Sequence, residues 1–233
     1  MQVVILAGGF GTRLSEETDL LPKPMVRVGN IPIIQHIMNF YSGFGHREFL
    51  IALGYKSEVA IEYFESRKTK DLSIKMIDTG LDTSTGGRIK KLEDYLDDEF
   101  MMTYGDGLSN VNIPLLIEHH QRFGKIATVT AVRPPARFGT IEISNGLVTR
   151  FAEKDPQDAG WINGGFFCLN KKVCSFISDS TTSFESEPLR QLTMIGELTA
   201  YEHEGWWQPM DTLRDKRTLE SIWEKGQAPW TIQ

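Results

Sequence analysis

Short apolar runs alternate along this chain with segments whose apolar positions recur every three to four residues. The first run, Val3-Val4-Ile5-Leu6-Ala7, stops at Gly8, Gly9 and Gly11. A run of that length ended by glycines predicts a buried strand that delivers a tight loop to one edge of a sheet. Ile34, Ile37, Met38 and Tyr41 then share one face of a helix opened by Pro32 and ended by Gly43 and Gly45. Residues 49–53 predict the next strand, 57–66 a second helix and 74–78 a third strand. A glycine turn at 83–88 predicts the start of a helix over 89–96, followed by a strand over 100–104, a helix over 114–123 stopped by Gly124, and a strand over 127–132. Residues 140–143 and 147–151 flank Ser144-Asn145-Gly146, a hairpin signal. Helices over 171–177 and 186–195, a strand over 198–201 and a last helix running to Glu224 complete the pattern. The alternation predicts an α/β fold, a mostly parallel sheet with helices on both faces.

No stretch of the 233 residues reads as a flexible linker, so one domain over 1–233 is expected. A formal charge of −6, from 25 Lys and Arg against 31 Asp and Glu, argues against nucleic acid or an anionic membrane as the main partner. A small anionic substrate needs only a local cluster of cations. Residues 1–10 are apolar but lack a basic leading segment, and no run approaches the length of a membrane span, so a cytoplasmic location is expected. Cys168 and Cys174 form no C-x-x-C pair and read as buried, reduced side chains. The five histidines form no H-E-x-x-H and are assigned structural or surface roles.

The chemistry gathers at loops. Without Cβ atoms, the Gly8-Gly9-x-Gly11 loop can bring its backbone N–H groups against a flat or anionic ligand. Arg13 and Lys23 add positive charge behind it, with Pro22 and Pro24 restricting the backbone around the lysine, which points to phosphate. It is not a dinucleotide fingerprint, because Leu14 stands where the third glycine belongs, and no G-x-x-x-x-G-K-[S/T] occurs. A second glycine turn, Thr85-Gly86-Gly87-Arg88, suits either a ligand or simple chain reversal. Asp106, between Gly105 and Gly107, falls where open α/β sheets bind ligands, beyond the carboxyl end of a strand. There it could hold a hard cation such as Mg²⁺ together with substrate phosphates, or stabilise its own turn. Asp211 is a second strand-end carboxylate, and it or Thr212 could cap the last helix. Glu153-Lys154 alone reads as a solvated surface pair.

G-G-x-G-T-R-L followed by K-P-M resembles the sugar-1-phosphate nucleotidyltransferases, and the resemblance runs from Val3 to about Trp230. T-G-G-R, W-I-N-G-G-F-F from Trp161 and W-Q-P-M-D-T-L-R-D from Trp207 bring it nearest to the branch that cytidylylates glucose 1-phosphate. The resemblance implies a Rossmann-like three-layer nucleotidyltransferase fold with a nucleotide half over about 1–132 and a sugar-phosphate half over about 133–233. It places Leu6, Ala7, Gly8, Gly9, Gly11, Thr12, Arg13, Lys23, Gly87 and Arg88 on the nucleotide, and Gly139, Glu153, Lys154 and Asn163 on the sugar phosphate. Asp106 and Asp211 would hold Mg²⁺, with Arg13, Lys23 and Asp106 as the catalytic set. CTP and α-D-glucose 1-phosphate are the implied substrates, in a homo-oligomer. The segment Arg67 to Asp71 is shorter than the family's usual insertion, which bears on the sugar end or on subunit contacts. The rival readings are another phosphorylated acceptor, UTP or dTTP as donor, a nucleotide-binding regulatory module, or a glycosyltransferase, although the last would place D-x-D where this chain has Gly105-Asp106-Gly107.

Overall fold

The computed structural model describes residues 1–9, 11, 21–67, 71–135, 140–152 and 160–232. The elements run β1 (Gln2–Leu6), β2 (Arg27–Val28), β3 (Ile31–Pro32), α1 (Ile33–Gly43), β4 (Glu48–Leu53), α2 (Ser57–Ser66), β5 (Ser73–Asp78), α3 (Thr85–Lys91), β6 (Glu99–Tyr104) and β7 (Gly107–Ser109). They continue with α4 (Ile113–Phe123), β8 (Ala127–Val132), β9 (Thr140–Ser144), β10 (Leu147–Ala152), β11 (Ile162–Asn170), α5 (Glu187–Met194), β12 (Leu198–His203), β13 (Trp207–Pro209) and α6 (Leu213–Glu224).

Seven strands form the central sheet in the order β12-β8-β11-β6-β1-β4-β5. β1 pairs in parallel with β4 and β6, β5 joins β4 in parallel, and β12 joins β8 in parallel. Only β11 runs against its neighbours β6 and β8. Leu6 pairs with Ala52 on one side and Tyr104 on the other, and Leu53 pairs with Asp78. The carboxyl ends of β1, β4, β5 and β6 therefore reach one edge together, and antiparallel β11 brings its amino end, with Asn163, to that same edge.

Side chains alternate across this sheet as a period of two requires. Val3, Ile5, Phe49, Ile51, Met101 and Phe166 face one buried cluster, which takes Ile34, Ile37 and Tyr41 from α1, Phe64 from α2, Leu116 from α4 and Leu219 from α6. Val4, Leu6, Leu50, Ala52, Phe100, Met102 and Phe167 face the other, closed by Ile89 of α3, Leu192 of α5 and Val173. Both faces are thus covered, and the strands read as nearly continuous apolar runs.

Helix ends follow local chemistry. Asn112 caps α4 by accepting from the Leu115 N–H at 3.1 Å, and Gly124 ends it in the left-handed region at φ 59°. In the hairpin, Asn145 (φ 51°) and Gly146 (φ 80°) adopt the paired positive φ of a type I′ turn. Two expectations shift. The predicted helix over 89–96 begins earlier, at Thr85, and gives way after Lys91 to a 3-10 turn over Glu93–Tyr95. Its glycines are its first turn, where Gly86 and Gly87 lie against the backbone of residues 180–184. The segment expected as a helix over 171–177 is a 3-10 helix over Lys171–Phe176. Cys168 and Cys174 are free and buried, and burial pushes their thiols up to about 12 and about 11. No helix among the described residues is long and apolar enough to cross a membrane.

Candidate active site

At the shared sheet edge the loop after β1 and the segments after β6 and β13 enclose a cavity of about 560 Å³. Leu6, Ala7, Gly8 and Gly9 form one wall of it. Gly8 is required by contact: a Cβ there would stand 2.1 Å from the Arg88 guanidinium. Arg88 donates to the carbonyls of Gly8 (2.8 Å), Leu53 (3.0 Å), Gly80 (3.0 Å) and Leu81 (3.4 Å), and to Thr79 Oγ1 (2.6 Å). One buried side chain so ties together the loops that follow β1, β4 and β5. Burial pulls the Arg88 pKa below its ordinary value, with Asp78 partly opposing.

Asp106 and Asp211 are brought together by backbone pairing. Gly107 of β7 lies opposite Pro209 of β13, and the Met210 N–H donates to the Asp106 carbonyl at 2.8 Å. The question of which residue caps α6 is resolved in favour of Thr212. It accepts from the Asp215 N–H at 3.2 Å, while Asp215 Oδ2 accepts from the Thr212 and Asp211 N–H groups at 2.9 and 3.2 Å. The Asp211 carboxylate is left to face the cavity.

Between the two aspartates sits Lys23, on a 3-10 turn over Lys23–Met25 and only 8% exposed. Its ammonium donates to Asp106 Oδ2 at 2.6 Å and to Asp211 Oδ1 at 2.7 Å. Burial lowers the Lys23 pKa, but the two carboxylates outweigh that and hold it above the ordinary lysine value. The lysine expected beside the leaving phosphates is therefore seated on the carboxylates expected to hold the metal. Two carboxylate oxygens converging on one cationic point suit a hard divalent ion that completes its shell with water and substrate phosphates. Among the described residues no cluster of three or more His, Cys, Asp or Glu offers an all-protein site.

Residues 2–224 match the family described as nucleotidyl transferase. The chain belongs to that family. Among nucleotidyl transferase relatives, the glucose-1-phosphate cytidylyltransferase of Salmonella typhi is 46% identical over 253 aligned positions, covering 99% of this chain and 98% of that protein. The probable glucose-1-phosphate cytidylyltransferase of Bacillus subtilis is 41% identical, covering 100% of both chains. The crystal structure of HddC from Yersinia pseudotuberculosis superposes with a TM-score of 0.77 at 25% identity, covering 95% of this chain and 99% of that one. An alignment of 253 positions on a chain of 233 means that the Salmonella relative carries residues absent here.

Of the residues expected on nucleotide, sugar phosphate and metal in this nucleotidyl transferase, Leu6, Ala7, Gly8, Gly9, Lys23, Arg88, Asp106, Asn163 and Asp211 line the same cavity. Gly11 adopts φ 66° and is not among the residues that line it. Gly87 turns away: its N–H donates to the Thr182 carbonyl at 3.1 Å, and a Cβ would stand 2.2 Å from the Ser180 carbonyl oxygen. Thr12, Arg13, Gly139, Glu153 and Lys154 lie outside the described residues. The structure also adds residues that motif reading missed. Glu185 accepts from Tyr104 Oη and Thr85 Oγ1, each at 2.5 Å, and from Ser183 Oγ at 2.7 Å. Tyr104 Oη in turn accepts from Asn163 Nδ2 at 3.3 Å. Trp207 closes the same wall by donating from Nε1 to the Gly164 carbonyl at 2.7 Å. Tyr104 had a signal, its place just before Gly105-Asp106; nothing local marks Glu185.

Proposed function

We propose that the chain transfers a cytidylyl group from CTP to α-D-glucose 1-phosphate, giving CDP-glucose and pyrophosphate. The observation that carries this reading is the convergence of Asp106, Asp211 and Lys23 beside the Gly8-Gly9 wall of one cavity, in a chain similar over its whole length to cytidylyltransferases. A phosphate oxygen of the sugar phosphate attacks the α-phosphorus of CTP in line. The new P–O bond forms as the bond to the bridging oxygen breaks, and pyrophosphate leaves with that electron pair. No nucleophilic side chain is needed, so the work is positioning and charge stabilisation.

Asp106 and Asp211 are the residues that would hold Mg²⁺, which when bound neutralises phosphate charge at the reacting phosphorus. The Gly8-Gly9 loop would take the phosphates on its N–H groups, and Arg88 would keep that loop in shape. By resemblance, Arg13 and Lys23 would stabilise the departing pyrophosphate, and Lys154 would hold the incoming phosphate with Gly139, Glu153 and Asn163 near the sugar. Gly87 packs against Ser180, so on this wall Thr83 and Ser84 are better placed to meet the base. We also propose a homo-oligomer: Ile141, Ile143, Val148 and Phe151, paired across one face of β9–β10, are 50–68% exposed, an apolar surface that suits a second copy.

The test is pyrophosphate release with CTP, UTP, dTTP, GTP and ATP against glucose 1-phosphate, followed by a panel of sugar phosphates with the best nucleotide. CTP should lead, because a pocket that hydrogen-bonds one base edge leaves polar groups unpaired with the wrong base, at about 1–3 kcal/mol per group. Preference for UTP or dTTP would overturn the base; CTP use without glucose 1-phosphate turnover would overturn only the acceptor.

A further inference from the structure

We infer that Lys23 is a built-in competitor for the divalent ion, seated where the ion would bind and drawn away when nucleotide phosphates arrive. The inference rests on the assignment of the ion to Asp106 and Asp211 made above. Its physical basis is the geometry of one nitrogen between two carboxylates. Lys23 Nζ lies 2.6 Å from Asp106 Oδ2 and 2.7 Å from Asp211 Oδ1. Mg²⁺ binds carboxylate oxygens at about 2.0–2.1 Å, so an ion sharing these two oxygens would occupy much the same point as the ammonium. Two cations cannot share that point.

The exchange has a reason to be gated. The side chains of Asp106, Asp211 and Lys23 are 31%, 19% and 10% exposed, so the charges are only partly screened by water. Without a cation between them the two carboxylates would repel, and Lys23 holds them converged before any substrate arrives. Its backbone is fixed: Pro22 and Pro24 flank it, and the Met25 and Val26 N–H groups donate to the Pro22 and Lys23 carbonyls at 2.8 and 3.1 Å. The ammonium must therefore leave by rotation of its own side chain. The cavity it lines is also lined by Gly8 and Gly9, so the neighbouring wall is the one suited to phosphates. Triphosphate on that wall gives the lysine a second anionic partner, and its departure opens the carboxylates. Metal and nucleotide then bind with positive coupling, and the coupling is reciprocal.

The probe is Mn²⁺ alone, added to the full chain without nucleotide and followed by the electron paramagnetic resonance signal of the free ion. Lys23→Met keeps most of the stem and removes the charge, and should tighten Mn²⁺ binding about ten-fold or more over wild type. CTP should tighten Mn²⁺ binding strongly in wild type and far less in Lys23→Met. Unchanged or weaker binding in folded Lys23→Met, with Asp106→Asn abolishing it, overturns the competitor role and leaves the metal assignment standing. Wild-type-like Mn²⁺ binding by Asp106→Asn overturns the metal assignment itself. Should Lys23→Met fail to fold, amine-reactive footprinting of wild type gives the answer: saturating Mn²⁺ alone should expose Lys23 to labelling, and labelling that stays at the metal-free level overturns the inference.

Discussion

Asp106 has partners that a carboxylate serving only its own turn would not need: an ion pair to Lys23 and, through that lysine, a link to Asp211, 105 positions further along the chain. Replacing it with Asn removes one charge at almost constant volume and leaves Lys23 paired with Asp211. Asp106→Asn should therefore keep a near wild-type melting temperature while turnover falls about 10²–10³-fold or more; turnover within a few-fold of wild type would remove Asp106 from the catalytic set. Glu185 makes a different case. Its carboxylate is held by three neutral hydroxyl donors and lies on the part of the cavity over β6 and β11, with Tyr104 and Asn163, whereas Arg88 ties the loops over β1, β4 and β5. A fixed negative charge suits the uncharged hydroxyls of a sugar better than phosphate. Glu185→Gln should raise KM for glucose 1-phosphate about ten-fold, the scale of one hydrogen bond to a charged group, with KM for CTP unchanged. A shift confined to CTP would place Glu185 on the nucleotide.

Elements with a local signal were legible from the chain alone. α2 spans Ser57–Ser66 as its pattern predicts, α4 ends at Gly124, and the β9–β10 turn sits at Asn145-Gly146. What was hidden depended on distant contacts. Two glycines argue against a helix by propensity, yet Thr85–Lys91 is helical because its first turn packs on residues 180–184, with Thr85 Oγ1 accepting from the Phe184 N–H at 2.9 Å. The same dependence governs the site. Lys23, Asp106 and Asp211 could each be named from motifs, but their meeting on one nitrogen, and the packing of Gly87 against Ser180 and Thr182, required the fold. At the start of α6 the two kinds of information meet: Thr212-x-x-Asp215 is a capping box in which Asp215 also holds the backbone of Asp211. Thr212→Ala should cost about 1 kcal/mol in urea unfolding, the usual worth of such a cap, and should lower turnover by loosening Asp211. Unchanged stability would mean that Asp215 alone secures the turn.

For the molecule as a whole, the two apolar layers set the stability and the histidines set its response to acid. All five histidines have pKa values below the ordinary 6.5, with burial the largest cause in each. His36 shows why. Its Nε2 lies 2.9 Å from the Val28 carbonyl, and its Nδ1 accepts from Trp230 Nε1 at 3.1 Å, which requires the neutral ring with the proton on Nε2. Trp206 and Trp223 stack on Trp230, so the contact anchors the chain's end to α1 and to the strand that follows Lys23. His120 is similarly committed to Thr128 Oγ1 at 2.8 Å, and His203 lies 3.3 Å from Ser109 Oγ and from the Trp206 carbonyl. Because these pKa values are depressed, the unfolded chain binds more protons than the native one just below pH 6.5. Stability is then complete above that pH and falls as pH drops toward the folded values. For buried His36 alone the slope can reach about 1.4 kcal/mol per pH unit between its two pKa values. The carboxylates with lowered pKa, Asp179 and Glu187, already start from 3.8 and 4.5 and titrate below this window. Thermal melts from pH 8 to pH 5.5 should show a melting temperature that is level above about pH 7 and declines below about 6.5. His36→Gln should be less stable at neutral pH but lose less on acidification. A melting temperature flat or rising between pH 6.5 and 5.5 would show that the histidines are not held neutral by the fold.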